Sequence, residues 1–142
     1  MSAPGQEFRL HHIGFVVPSL ADGHAVFSAL GFDVSSPSFT DPIQRVTVQF
    51  IQMAGSVSIE LITPAADDSP VSQFLSKRGM GLHHLCYEVP DLEAACEYLR
   101  NQRSMMTCAP VPAVAFGGRR ISFHYWHKQI VELLEAESRF HE

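Results

Sequence analysis

The chain has 142 residues, 46% of them hydrophobic and 18% charged, with a formal net charge of -5. That is the balance of one soluble globular domain, and it offers no concentrated positive field for wrapping nucleic acid or docking on anionic lipid. No apolar run is long enough to span a bilayer, and the opening MSAPGQEFRL lacks the apolar stretch of a secretory signal; three cysteines without zinc-type spacing (Cys86, Cys96 and Cys108) fit the reduced thiols of a cytoplasmic protein.

Residues 8–17 alternate, which predicts a first strand with His12, Gly14 and Val16 on one face and Ile13, Phe15 and Val17 on the other. Pro18-Ser19 punctuates, and Leu20, Phe27 and Leu30 give a short amphipathic helix closed by Gly31. Strand-like runs follow at 32–34, 45–53 and 56–63, the last two joined by an Ala54-Gly55 turn. Residues 64–68 read as a loop, and Ser69-Pro70 starts a short helix broken by Gly79 and Gly81. The pattern then restarts with a strand at 82–89, a helix opened by Pro90-Asp91, a short strand at 105–108, a proline-bearing loop at 109–118, and a hairpin of 120–126 and 129–134.

This restart is an internal repeat. A shift of 72 positions (82 − 10) lays LHHIGFVVPSL onto LHHLCYEVPDL, and the same shift lays IELI at 59–62 onto VELL at 131–134. Two distant segments agreeing at one offset imply tandem β-α-β-β-β modules, about 8–63 and 82–135, joined by a short helical linker at 64–81 within a single α+β domain. The expected architecture is a cupped mixed sheet with the helices outside.

The repeat leaves four polar residues in apolar strands: His12, Glu60, His84 and Glu132. The separations 60 − 12 and 132 − 84 are both 48, so the two His/Glu pairs occupy equivalent places. Alternation turns all four away from the helix-packing residues, which lets them converge if the two sheets face each other. One such residue alone is more often hydrogen-bonded or solvated than a ligand. Its recurrence at the same place in both modules argues for a shared task. Two carboxylates in a cleft repel and are costly to desolvate unless a cation or a proton neutralises them, so one divalent metal ion is the expected resident. Mixed N/O ligation suits Zn, Ni, Co, Mn or Fe without choosing among them.

The remaining histidines and cysteines carry less. His11 and His83 neighbour the four in sequence and so point away from them. His124 and His127 face opposite ways on a strand, and His24 and His141 read as surface residues. The cysteines have no paired base at a readable spacing. Gly117-Gly118 precedes a strand, which excludes a dinucleotide fingerprint.

The chain resembles the vicinal oxygen chelate superfamily of glyoxalase I, extradiol dioxygenases, fosfomycin- and bleomycin-resistance proteins and methylmalonyl-CoA epimerase, with the epimerase branch nearest. The likeness rests on HHIGFVV, SIELITP, SPVSQFLSKRGMGLHHLCYEVPDLEAA, GGRRISF and IVELLE, and spans about 10–135. It implies paired modules around a divalent metal, ligated from the first and last strands of each module by His12, Glu60, His84 and Glu132. It implies a metal-dependent isomerase or lyase of the epimerase/glyoxalase type, which stabilises an enolate of a small carbonyl or thioester substrate while a carboxylate carries the proton.

The epimerases have Gln or Glu at the second ligand position; Glu60 here is the glyoxalase-like choice. They also have a non-ligand glutamate base on the preceding strand, where this chain has Val48. That departure leaves Glu132 as the leading proton acceptor and Glu60 as the second. The rim is expected to include Gln44, Arg45 and the loop 113–120, with Arg120 matching the arginine of the GGxRIxF segment and Gln44, Phe116 and Arg120 as substrate contacts. The resemblance also implies a homodimer. Two alternatives stay open: a resistance-type binding protein that sequesters a ligand without turnover, which fits Val48, and an Fe(II) dioxygenase, which is less suited because that chemistry usually takes two His and one carboxylate.

Overall fold

Both principal helices start on the same device. Ser19 accepts a hydrogen bond from the Asp22 amide at 3.1 Å, and Asp91, 72 residues later, accepts one from the Ala94 amide at 3.0 Å. Each cap satisfies an amide that the first helical turn leaves unpaired. The computed structural model describes residues 7–137; His141, expected at the surface, lies outside them.

The described residues form β1 (Arg9–Val16), α1 (Leu20–Ser28), β2 (Asp33–Asp41), β3 (Val46–Gln52), β4 (Ser58–Pro64), α2 (Pro70–Arg78), β5 (Gly81–Val89), α3 (Leu92–Asn101), β6 (Met105–Pro112), a 3-10 turn (Val114–Phe116), β7 (Arg120–Trp126) and β8 (Gln129–Glu135). They gather into two compact units: residues 12–83, and residues 7–11 with 84–137. The division falls inside β1 and β5, between His11 and His12 and between His83 and His84.

In the unit of residues 12–83 the strands run β2-β3-β4-β1, with β1 parallel to β4 and the other pairs antiparallel. The other unit runs β5-β8-β7-β6 with the same pattern, β5 being parallel to β8. Each unit therefore contains a β-α-β-β-β module with a mixed sheet, as the repeat implies, and the unit of residues 12–83 also carries α2. The apolar face of α1 packs Phe27 onto Val17, Ile51 and Leu61, with Phe15, Leu20 and Ile59 around them. The face of α3 packs Leu92, Ala95 and Leu99 onto Val89, Val131 and Leu133. Val17, Leu20, Phe27 and Leu61 recur at the same offset as Val89, Leu92, Leu99 and Leu133, so the two cores are built alike.

Two strands are longer than the alternation suggests. β2 continues through SSPSFTD, and β6 takes in 109–112 of the segment expected to be a loop. Both are the outer strands of their sheets, where proline on the open edge removes no ladder bond. The β7–β8 hairpin turns on His127 and Lys128, both at positive φ (52° and 63°), a primed two-residue turn made without glycine.

Candidate functional site

Strand register fixes the faces. In the unit of residues 12–83, Gly14 pairs with Glu60 across β1/β4, and Phe50 pairs with Glu60 across β3/β4. His12, Gly14, Val48, Phe50 and Glu60 therefore share the face away from α1, because paired residues point the same way and successive ones alternate. His12 is fully buried and Glu60 is 6% exposed. His12 Nε2 lies 3.5 Å from Glu60 Oε1, and the Phe50 ring meets the imidazole edge-on at 5.4 Å between centroids.

The other unit repeats this arrangement. Cys86 pairs with Glu132, and Phe123 pairs with Glu132, so His84, Cys86, Glu88, Phe123 and Glu132 share the face away from α3. His84 is 6% exposed and Glu132 3%. His84 Nε2 lies 2.9 Å from Glu132 Oε1, with the Phe123 ring edge-on at 5.7 Å. The aromatic wall is invisible to the 72-residue shift because Phe50 is 10 residues before Glu60, while Phe123 is 9 before Glu132. A search allowing a one-residue gap finds it.

Each couple offers an imidazole nitrogen and a carboxylate oxygen, both withdrawn from water beneath a phenyl ring. An ionised carboxylate so placed requires compensating positive charge, and this donor pair suits borderline divalent cations. The residues present thus fit the kind of metal centre that the sequence implies.

The rim residues fare differently. Gln44 is half-buried in the β2–β3 turn, where its amide donates to Asp41 Oδ1 at 3.1 Å. Arg45 takes positive φ (57°) and pairs with Asp68 at 2.7 Å. Val48 is 5% exposed and pairs with Ile62, on the same face as Glu60. Phe116 is half-buried, meeting the His11 ring at 5.5 Å.

Arg120 faces the helix side. Its guanidinium bonds Glu135 Oε1 at 2.7 Å and Glu93 Oε1 of α3 at 2.5 Å, opposite the face that carries Glu132. Those bonds, to Glu135 first and then Glu93, raise the Arg120 pKa above its ordinary value, and the same pairing holds the Glu135 carboxyl below the usual carboxylate range. The expected substrate contact is thus engaged in an internal network on the other side of the sheet. The arginine on the face of His84 and Glu132 is Arg119, which sequence reading placed in the rim loop but gave no role: it bonds Glu88 Oε2 at 2.8 Å. Two adjacent arginines go to opposite faces, and only the register tells which goes where.

His24 and His124 also have roles that the sequence reading did not give them. His24 Nε2 bonds Gln49 Oε1 at 2.7 Å. His124 is 1% exposed, and burial lowers its pKa.

The chain as a whole is similar to known proteins. Residues 11–123 match the glyoxalase/bleomycin resistance protein/dioxygenase superfamily. The chain is 34% identical over 117 residues to an ethylmalonyl-CoA/methylmalonyl-CoA epimerase of Cereibacter sphaeroides, covering 81% of this chain and 86% of that one. It is 33% identical to the mitochondrial methylmalonyl-CoA epimerase of Homo sapiens over 118 residues, 82% of this chain and 66% of that one. Among solved structures it is similar to methylmalonyl-CoA epimerase from Mycobacterium tuberculosis, with a TM-score of 0.79 at 27% identity, covering 89% of this chain and 86% of that one. The chain belongs to the glyoxalase/bleomycin resistance protein/dioxygenase superfamily.

Proposed function

We propose that this protein is a metal-dependent isomerase of the methylmalonyl-CoA epimerase kind, moving a proton on the carbon beside the carbonyl of a small acidic thioester. One observation carries the reading: a buried His–Glu couple stands at the same place in each module, in a chain whose relatives include proteins named epimerases. In this reading His12, Glu60, His84 and Glu132 together hold one divalent ion (zinc, nickel, cobalt, manganese or iron). When bound, such an ion supplies Lewis acidity, which polarises a carbonyl and acidifies the neighbouring C–H.

The proton is then the task of the carboxylates. With Val48 where the epimerases carry a base, Glu132 takes the proton from the substrate carbon onto a carboxylate oxygen, and its return to the opposite face of the planar enolate gives the other epimer. Glu60, its counterpart in the other module, is the second acceptor. Phe50 and Phe123 keep water from the imidazoles, which preserves the strength of these charge interactions. The protein acts as a homodimer in the cytoplasm in this reading, which gel filtration with light scattering and fractionation test.

The decisive experiment is hydrogen exchange at C2 of methylmalonyl-CoA in D2O, on protein stripped by chelator and reloaded with each metal. Metal-dependent deuterium uptake with interconversion of the epimers is expected. Absence of exchange with every metal removes the reaction. The buried Val48 favours one alternative, a binding protein of the resistance type; it predicts tight, saturable association without any exchange.

A further inference from the structure

We propose that Arg119 forms an anion subsite on the face that carries His84 and Glu132, gripping a carboxylate or phosphate oxyanion of the substrate through its Nε/Nη2 edge. This rests on the thioester reading above and adds the group that reads the substrate's charge.

Glu88 lies on the same face as His84, two residues along β5 from Cys86, which is the cross-strand partner of Glu132. At about 3.3 Å per residue, Glu88 stands roughly 7 Å along the sheet from the level of Glu132. Arg119 donates through Nη1 to Glu88 Oε2 at 2.8 Å and to the Glu135 carbonyl at 3.3 Å. Its Nε is buried and has no hydrogen-bond partner among the described residues. A guanidinium N–H withdrawn from water with nothing to donate to is costly, and the Nε/Nη2 edge is the fork that matches an oxyanion.

The surroundings hold this edge still. The Phe116 ring lies 5.8 Å from the guanidinium carbon, and Phe116 belongs to the cluster of Cys86, Ile121 and Leu134 beside the couple. Ala113 N donates to Arg119 O at 3.0 Å and Arg119 N donates to Phe116 O at 3.2 Å, closing the loop at its base. Gly117 and Gly118, at φ 65° and 88°, make the reversal. The side chains of Arg119 and Glu88 are 20% and 23% exposed, so the pair borders solvent while Nε itself is covered, and an anion seats on the fork by displacing what covers it. Glu88 anchors one nitrogen and leaves the fork.

The test compares wild type with Arg119→Gln, Arg119→Lys and Glu88→Gln by calorimetric binding of methylmalonyl-CoA, methylmalonyl-pantetheine and propionyl-CoA. Arg119→Gln weakens methylmalonyl-CoA binding about tenfold or more, as expected for a lost charge-assisted fork, and Arg119→Lys restores part of it. Glu88→Gln binds as tightly as wild type or tighter, because the competing carboxylate is gone. Weakening that persists with methylmalonyl-pantetheine and vanishes with propionyl-CoA assigns the fork to the substrate carboxylate; the reverse assigns it to a phosphate of the coenzyme. Unchanged affinity of Arg119→Gln for all three, with only a lowered melting temperature, overturns the subsite and leaves Arg119 a loop strap. A wild type that binds none of the three overturns it too. Binding that fails selectively in Arg119→Gln upholds the subsite even where C2 exchange is absent, so the two proposals fail separately.

Discussion

His24 and Cys96 occupy the same place in the two modules, 72 residues apart, and each ties its helix to the third strand beneath it. His24 Nε2 meets Gln49 Oε1 at 2.7 Å; Cys96 Sγ meets Ser122 Oγ at 3.4 Å and His124 Nε2 at 3.7 Å, while Ser122 and His124 are themselves 2.8 Å apart. This seam runs on the helix side of each sheet, opposite the His–Glu couples. Under α3 it borders a cavity of about 220 Å³ lined by Cys96, Ser104, Met106, Pro110 and His124. Among the described residues Ser104 Oγ and His124 Nδ1 are buried without hydrogen-bond partners.

That seam titrates in a defined direction. Burial holds the His124 imidazole below its ordinary 6.5, so on acidification the unfolded chain takes up this proton before the folded one does. The stability His124 permits is therefore complete above about pH 6.5 and is lost progressively below it, by at most about 1.4 kcal/mol per pH unit for one proton. A second loss sets in from about pH 4.5 downward, as Glu135 gives up the carboxylate that Arg120 stabilises. Urea unfolding from about pH 2 to 8 should show both limbs, and His124→Gln should remove only the upper one. An upper limb that survives the substitution contradicts the assignment. Burial pushes the Cys96 thiol above its ordinary 9.0, so at neutral pH iodoacetamide should label it more slowly than a free thiol peptide.

Arg120→Ala should leave substrate affinity where it is. Its partners are Glu93 and Glu135 on the helix side, and its side chain is 36% exposed, so the network contributes no more than about 1 kcal/mol. The expected result is a melting temperature a few degrees lower with KM unchanged. The contrast with Arg119→Gln is the informative measurement, since the two arginines are adjacent in the chain. A KM that rises in Arg120→Ala returns the role to the residue that the sequence motif first suggested.

How far such roles can be read without coordinates differs from element to element. The four His and Glu residues were legible because duplication sampled the same position twice, and strand alternation turned all four away from the helices. The cores were legible for the same reason: Leu61 and Leu133 are fully buried at matching places. β2 and β6 were not, because each has open solvent along one edge and a polar or proline-rich sequence without alternation. The faces of Arg119 and Arg120 were undetermined, because a strand that starts one residue later exchanges them. The β7/β8 register, in which Ile121 pairs with Leu134 and Phe123 with Glu132, fixes that parity.

Metal should bind with the couples acting as a set. His84→Ala or Glu132→Ala removes one of two buried partners that are 2.9 Å apart, and with it one of the couple's two donors. In the proposed centre either change abolishes stoichiometric metal retention after dialysis, measured by elemental analysis. Saturating metal at a hundred times its Kd should stabilise the wild type by about 2.7 kcal/mol and these variants by none. Glu60→Gln keeps an oxygen donor and should retain metal more weakly, consistent with the Gln that the resemblance allows at this place. Full retention in His84→Ala would count against a four-residue centre.

Val48→Glu puts a carboxylate where the epimerase branch carries its base, and the register favours the attempt. Val48 lies on the Glu60 face, two residues from Phe50 on the same strand, and it is 5% exposed. The new side chain enters a dry site beside an existing carboxylate, so both desolvation and like charge push its pKa up toward neutrality, where a general base works best. The stability cost is of order 1–3 kcal/mol, read by urea unfolding. If Glu132 serves as a makeshift base in the wild type, Val48→Glu should raise the rate of C2–H exchange by about tenfold or more, since positioned general bases contribute roughly 10²–10⁴. Val48→Gln, equal in size and without the base, should lose the stability and gain no rate. If Val48→Glu and Val48→Gln exchange at the same rate as wild type, Glu132 already suffices and the valine is no deficit.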